Sequence, residues 1–376
     1  MLRWTASWSR SLCLLGVSVV LMGCSALAGP GSRERLAHPS SGLETLWVVD
    51  PERLNPAEQT LALTLQGLVA EGPSAIWIKD RGMVALVLED LVAEGVQTPD
   101  AGSVWDLVAE FRDAIAGMVL YDLGTDSINV ATSLCGPLQA VAIDSSLQAA
   151  AEAAGLEVLA DVRGMDEVQA FAEYGALFTP PAGTEGRPAL LIEQAETKNA
   201  HLRDFAVARR AFTVYGLDPT DHARIATALG HDLTAFGWGS DEYEWILQIS
   251  SEGGAGIPAD WSRNLSVLQR IPATLPERPH PTVRPVREGE RIVAFVMSDG
   301  DNIQWMGGQF VSAEGFWASP QRGEFAMTWE MAPLLAEVYP RALAHFYGTA
   351  SSGRAVDDFV AGPSGVGYAF HNYLPD

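Results

Sequence analysis

Residues 45–79 read TLWVVDPERLNPAEQTLALTLQGLVAEGPSAIWIK, and the order of patterns inside this stretch sets the fold class. Residues 45–49 predict a strand. Asn55-Pro56-Ala57-Glu58 then supplies an N-cap, a proline at the first helical position and a capping-box acid. Leu61, Leu65, Leu68 and Val69 give the helix that follows one apolar stripe to about residue 71, and Gly72-Pro73 stops it. Residues 75–79 resume as a strand, which completes a strand, helix, strand unit.

The same rhythm continues outward. Strands are expected at 118–121, 140–143 and 157–160, with helices at 128–135 and 147–154 between them. Alternation of this kind means an α/β domain with a largely parallel sheet. After a Pro/Gly break at 180–188 the pattern restarts with Leu190-Leu191-Ile192, a helix at 202–209, a strand at 212–215, a helix at 221–229 and a strand at 234–238. An acidic helix start, Asp241-Glu242, follows. Five prolines between residues 272 and 285 mark an extended connector. The expected plan is two N-terminal α/β domains, 42–180 and 181–271, a connector at 272–290, and a C-terminal domain at 291–376. No internal repeat of fixed period is present.

The N-terminus sets a compartment rather than a fold. Arg3 and Arg10 precede an apolar run at 12–22, too short to span a bilayer and typical of a cleaved signal. Leu21-Met22-Gly23-Cys24 resembles a bacterial lipoprotein signal. That resemblance implies lipidation of Cys24 and an envelope protein held at the outer membrane or cell surface, with 24–41 as a tether; the alternative is ordinary secretion with an incidental cysteine. Cys135 is then the one remaining thiol, so no intramolecular disulfide framework can form, and a buried structural role suits it best. The formal charge is −23, and removing residues 1–23, with two Arg and no acid, takes it to about −25. Nucleic acid and anionic lipid are poor partners for such a field.

Many motifs with a known chemistry are absent: no His-Glu-x-x-His, Cys-x-x-Cys, P-loop, Gly-x-Gly-x-x-Gly or Gly-x-Ser-x-Gly. The seven His are scattered, and neither a metal nor a cofactor is expected. The chemistry sits instead in residues 291–302, RIVAFVMSDGDN, where a buried strand at 291–297 delivers Asp299 and Asp301 into a loop. Two acids one residue apart can hold a cation, act as nucleophile and acid, or bracket a sugar. Asp-Gly and Asp-Asn are also common turn formers, and Asp caps helices. A strand followed by Asp-x-Asp resembles the first motif of haloacid dehalogenase-type phosphatases, with Asp357-Asp358 able to imitate that family's later acidic pair. Ile303, however, stands where those enzymes want Thr or Val.

A wider resemblance spans about residues 46–375. The segments Leu65-Gln66-Gly67-Leu68-Val69, Gly237-Trp238-Gly239 through Asp241-Glu242, Asn264-Leu265-Ser266-Val267, Ser298-Asp299-Gly300-Asp301-Asn302 and Gly365-Val366-Gly367-Tyr368-Ala369-Phe370 occur in this order. Together they resemble the glycoside hydrolase family named for its Gly-x-Gly-Tyr-x-Tyr-Pro motif. The resemblance implies N-terminal α/β domains followed by a β/α barrel, with the Gly-x-Gly-Tyr motif near a barrel strand. Phe370 replaces the second Tyr of the motif and His371 the Pro.

Independently of that resemblance, the terminal pattern fits the start of a TIM-like barrel. Strand one would be 291–297, strand two 324–329 with Glu330 at its exit, and strand three 344–347 or 358–361. Strand exits would then present Asp299, Asp301, Glu330 and Tyr368 on one face. Residues 291–376 number 86, whereas a full barrel takes about 250, so an incomplete barrel, and a fragment of a longer enzyme, is expected. The function expected is hydrolysis of an extracytoplasmic carbohydrate, with Asp299, Asp301 and Glu330 catalytic and Asn302, Trp305, Trp329 and Tyr368 on the substrate; Trp317 is a further aromatic available for stacking. The competing readings are a non-catalytic lipoprotein that binds glycan or protein, and a metal-dependent phosphatase-like hydrolase.

Overall fold

The start signal at residues 55–58 closes as a capping box. Asn55 Oδ1 accepts from the Glu58 amide at 3.1 Å, and Glu58 Oε2 accepts from the Asn55 amide at 3.0 Å. These bonds satisfy one of the orphan amides of helix α1 (Pro56–Val69) and the amide of its cap. The computed structural model describes residues 42–179, 188–277, 285–351, 356–362, 364–365 and 367–375. The expected signal at 1–23, the tether at 24–41, Cys24 and part of the proline connector lie outside the described residues.

Helix α1 connects β1 (Thr45–Val49) to β2 (Ser74–Ile78), which pair in parallel from Thr45↔Ser74 to Val49↔Ile78. A second sheet has the order β4-β3-β5, built from β3 (Gly117–Tyr121), helix α2 (Ser127–Leu138), β4 (Ala140–Asp144) and β5 (Val158–Asp161). A third has the order β7-β6-β8-β9. It comprises β6 (Pro188–Glu193), helix α3 (Arg203–Arg209), β7 (Phe212–Val214), helix α4 (Pro219–Leu229), β8 (His231–Gly237), helix α5 (Glu242–Ser251) and β9 (Ala255–Pro258). Every strand pair is parallel, as the alternating pattern requires. Helices Met83–Ala93 and Val104–Glu110 and strand β9 form where the apolar pattern predicts no element.

Parallel sheets this narrow have open edges, and three of those edges are stitched by polar side chains from a neighbouring helical segment. Thr64 Oγ1 of α1 accepts from the Ala142 amide of edge strand β4 at 3.1 Å. Ser133 Oγ of α2 accepts from the Thr213 amide of edge strand β7 at 2.8 Å. Asn264, held at φ +62°, behaves like an extra rung on β2: its Oδ1 accepts from the Ile78 amide at 2.7 Å and its Nδ2 donates to the Ile78 carbonyl at 2.8 Å. Gln66 Nε2 donates to the same Oδ1 at 2.7 Å. The segments 65–69 and 264–267 therefore meet in space. Gly67 is required there, because a Cβ would lie 2.5 Å from the Asp204 carbonyl oxygen of α3. Substituting Asn264→Ala orphans the Ile78 amide and carbonyl in a buried setting, and is expected to cost about 2 kcal/mol in urea unfolding. A cost near zero would mean that water replaces the side chain.

The C-terminal sheet has the order β10-β11-β12, with β10 (Val296–Met297), β11 (Met327–Met331) and β12 (Asp357–Ala361) all parallel. The buried strand expected at 291–297 is corrected to two residues, with Ile292 66 % and Val293 74 % exposed. An apolar run makes a buried strand only when both faces are covered, and β10 is an edge with one ladder partner among the described residues. Residues 344–347 are not a strand either. They lie in helix α7 (Pro340–Thr349), which starts on a proline at its first position. Among the described residues the sheet is open, with three strands.

Behind this sheet Phe310, Trp317, Trp329 and Phe346 pack edge to face and tilted, with ring centroids 5.1–6.2 Å apart. Arg322 lies 4.2 Å over the Trp317 ring and pairs with Asp357 at 2.8 Å. Asp357 also accepts from Trp329 Nε1 at 2.9 Å. Arg341 makes a two-point pair with Glu94 at 2.6 and 2.8 Å, which ties α7 to the end of helix Met83–Ala93.

Candidate active site

The loop after β10 is shaped by one strained residue and one glycine. Asp299 adopts φ +70°, a left-handed conformation that a non-glycine residue adopts only when its surroundings force it. Gly300 follows, buried against β11, and a Cβ there would sit 1.9 Å from the Glu330 carbonyl oxygen. No larger residue fits, so the loop is pressed onto the second strand. The Asn302 amide closes the turn on the Asp299 carbonyl at 3.2 Å, and Asn302 Oδ1 caps helix α6 (Ile303–Gly307) by accepting from the Trp305 amide at 3.0 Å.

This geometry brings together carboxylates from two adjacent strands. Asp301 is 8 % exposed and Glu330 9 %, whereas Asp299 is exposed. Burial pushes the Asp301 carboxyl above its usual range, and the nearby charges of Asp299 and Glu242 push the same way. Burial also raises Glu330, assisted by Asp301 and Asp299 and opposed by the Gly300 and Asp299 amides. Glu330 Oε2 is buried without a hydrogen-bond partner. Glu330 stands inside β11 rather than at its exit.

The Gly-x-Gly-Tyr segment closes the site from the far side. Gly365 adopts φ +88°, which favours glycine, and Gly367 packs closely on β9, where a Cβ would lie 3.0 Å from the Gly256 carbonyl oxygen and would push the tip of Ile257 aside. Tyr368 and Gly256 exchange backbone hydrogen bonds of 2.8 and 2.9 Å as an antiparallel bridge. The motif therefore begins just after β12, with Gly365 bridging Gly362, and its Tyr368 seats on edge strand β9 of the third sheet. Tyr368 Oη donates to Glu242 Oε1 at 3.1 Å. Phe370 packs against Tyr243 at 5.4 Å and Tyr368 at 5.8 Å, so this ring needs no hydroxyl to hold its place.

Asp299, Asp301, Glu330 and Tyr368 thus converge, and the three other expected site residues do not join them. Trp329 is 5 % exposed, alternates to the opposite face of β11 from Glu330, and belongs to the aromatic core, where Trp317 is also buried. Asn302 spends its carbonyl on the helix cap. Trp305 is half-buried against Phe310 and Phe316. Asp357 of the acidic pair imitating a phosphatase is engaged by Arg322 and Trp329. Glu242 is the site residue that the sequence pattern hid, because an acid at a helix start reads as a dipole contact. Among the described residues no group of three or more His, Cys, Asp or Glu is arranged to hold a metal ion.

Three family models match this chain in order: the GxGYxYP_N second domain at 115–176, the GxGYxYP third domain at 188–270, and the GxGYxYP putative glycoside hydrolase C-terminal domain at 290–376. A crystal structure of a putative hydrolase from Bacteroides thetaiotaomicron VPI-5482 is similar at 28% sequence identity with a TM-score of 0.79, over 93% of this chain and 69% of that one. No curated protein matches. With its second, third and C-terminal domains all matched, and the Asp299-to-Asn302 loop and the Gly-x-Gly-Tyr segment meeting at one site, the chain belongs to the GxGYxYP family of putative glycoside hydrolases.

Proposed function

We propose that the chain cleaves a glycosidic bond of an extracytoplasmic carbohydrate at the Asp299, Asp301 and Glu330 cluster. The observation that carries this reading is the pair of buried carboxyls, Asp301 and Glu330, both held above the usual carboxylate range on adjacent parallel strands beside an exposed Asp299. Glycoside hydrolysis needs one carboxyl that keeps its proton for the leaving oxygen and a second, ionised one that acts on the sugar or on water. Burial makes Glu330 the proton donor, and the solvent-facing Asp299 supplies the charge. Asp301 adds to the upward push on Glu330 through its nearby charge. Tyr368, turned toward Glu242, borders the substrate side. The phosphatase reading loses support because Asp357 is engaged elsewhere.

The test is release of reducing ends from a panel of plant, bacterial and host glycans. Release that survives replacement of Asp299, Asp301 and Glu330 together would remove the cluster from the mechanism. Binding that persists in that triple variant, with nothing released by the native chain, would favour a non-catalytic glycan-binding role.

The parallel order β10-β11-β12 with carboxylates at one end supports a β/α barrel plan for the C-terminal domain, the finer form of this reading. The signal-like N-terminus supports anchoring through lipid on Cys24 in the bacterial envelope. Intact mass of protein extracted from the source membranes is expected to include acyl chains on a polypeptide that begins at Cys24; an unmodified N-terminus there would sink the anchor.

A further inference from the structure

Trp261 is the most exposed tryptophan among the described residues, at 57 %. A large aromatic surface left in water is unfavourable, yet this ring is fixed in place from several sides. Its backbone amide donates to Gln304 Oε1 at 2.6 Å, the Lys198 ammonium lies 4.5 Å from its ring centroid, and His201 meets it edge-on at 5.0 Å. Asp260, 2 % exposed, pairs with Lys198 and anchors that ammonium. The indole is therefore preorganised rather than loose.

Beside it lies a small cleft, with about 30 Å³ of room for water-sized groups, lined by Trp261, Arg263, Asp80, Gln304 and Tyr339 among others. Tyr339 is 2 % exposed, and its buried hydroxyl has no hydrogen-bond partner. A buried hydroxyl in that state calls for a polar atom from outside. Arg263 is matched by Asp80 at 3.5 Å and Lys198 by Asp260, so the cleft offers paired charges and neutral polar groups. That chemistry fits hydroxyls and an apolar sugar face better than a uronate or an amino sugar. Gln304 stands in the first turn of α6, three residues beyond Asp301, so it sits at the same end of that helix as the acidic loop.

We infer that the exposed Trp261 indole is a subsite that stacks one ring of a neutral oligosaccharide, with a hydroxyl of that ring in the small cleft and the neighbouring ring at the Asp299, Asp301 and Glu330 cluster. The subsite rests on the carbohydrate reading of that cluster. It gathers groups from the first, third and C-terminal parts of the chain, so substrate would bridge all three.

The test is titration calorimetry of the full chain, in an Asp301→Asn background to prevent turnover, with maltohexaose, cellohexaose, xylohexaose and mannohexaose. At least one is expected to bind. Trp261→Ala should then weaken it about tenfold, with an unchanged melting temperature because the ring is exposed, while Trp261→Phe keeps most of the affinity. Equal affinity in Trp261→Ala, or a Phe variant as weak as the Ala one, would overturn the subsite and leave the carbohydrate reading intact. Failure of all four to bind the chain that retains Trp261 would overturn both.

Discussion

Replacing Glu330 with Gln is expected to reduce release of reducing ends about a thousandfold and, at neutral pH, to raise the melting temperature. The two effects have one cause. Glu330 is 9 % exposed, one of its oxygens has no partner, and burial with two neighbouring acids holds its carboxyl above the usual 4.5. A carboxyl whose folded-state pKa is raised contributes stability that is fully present below the unfolded value and is lost as pH rises through the folded one. Gln mimics the protonated form and removes that loss. The stability gap between variant and native chain should therefore be small below about pH 4.5 and widen as pH rises. The proton needed at the leaving oxygen is absent in Gln, so turnover falls while the fold tightens. A Gln variant that keeps full turnover would take Glu330 out of the mechanism; one that melts earlier at neutral pH would show that its charge is well solvated.

Replacing His222 with Ala is expected to cost about 3–5 kcal/mol of stability at pH 7. His222 of α4 is 2 % exposed and sits between two acids, Nε2 at 3.0 Å from Glu193 Oε1 and Nδ1 at 3.1 Å from Glu252 Oε1. Trp245 Nε1 donates to the same Glu193 oxygen at 2.6 Å. Burial opposes the imidazolium, but the hydrogen bonds and charges of Glu193 and Glu252 outweigh it and raise His222 to about 10. Removing the ring leaves both acids short of the cation that their burial requires. Because this pKa is raised from 6.5, the stabilisation is whole below about pH 6.5 and is lost as pH climbs through about 10. Urea unfolding of the native chain across that window should show the decline, and His222→Ala should lack it. A flat native profile would mean that the ring is neutral and the acids share a proton.

The strands at 118–121 and 140–143 and the capping box at 55–58 were legible because each depends on neighbours within a few residues. Asp299 and Asp301 were legible as chemistry for the same reason: a strand run followed by two acids is a local pattern. The error at 291–297 shows the limit, since apolar residues predict burial only if something covers them, and Ile292 and Val293 are bare. Trp329 and Glu330 adjoin in sequence yet face opposite sides of β11, so their separate fates follow from which face the helices cover.

What the sequence determined by itself was the α/β alternation, the caps and the identity of the acidic loop, all set by short-range sterics and periodicity. Only the tertiary structure decided that Asn264 completes the edge of β2, that Gly-x-Gly-Tyr seats on β9, and that Glu242 and Tyr368 face Asp301. Those contacts join residues as many as 186 positions apart. They exist because open sheet edges and buried carboxylates must be satisfied by whatever polar groups the packed chain brings within hydrogen-bond distance.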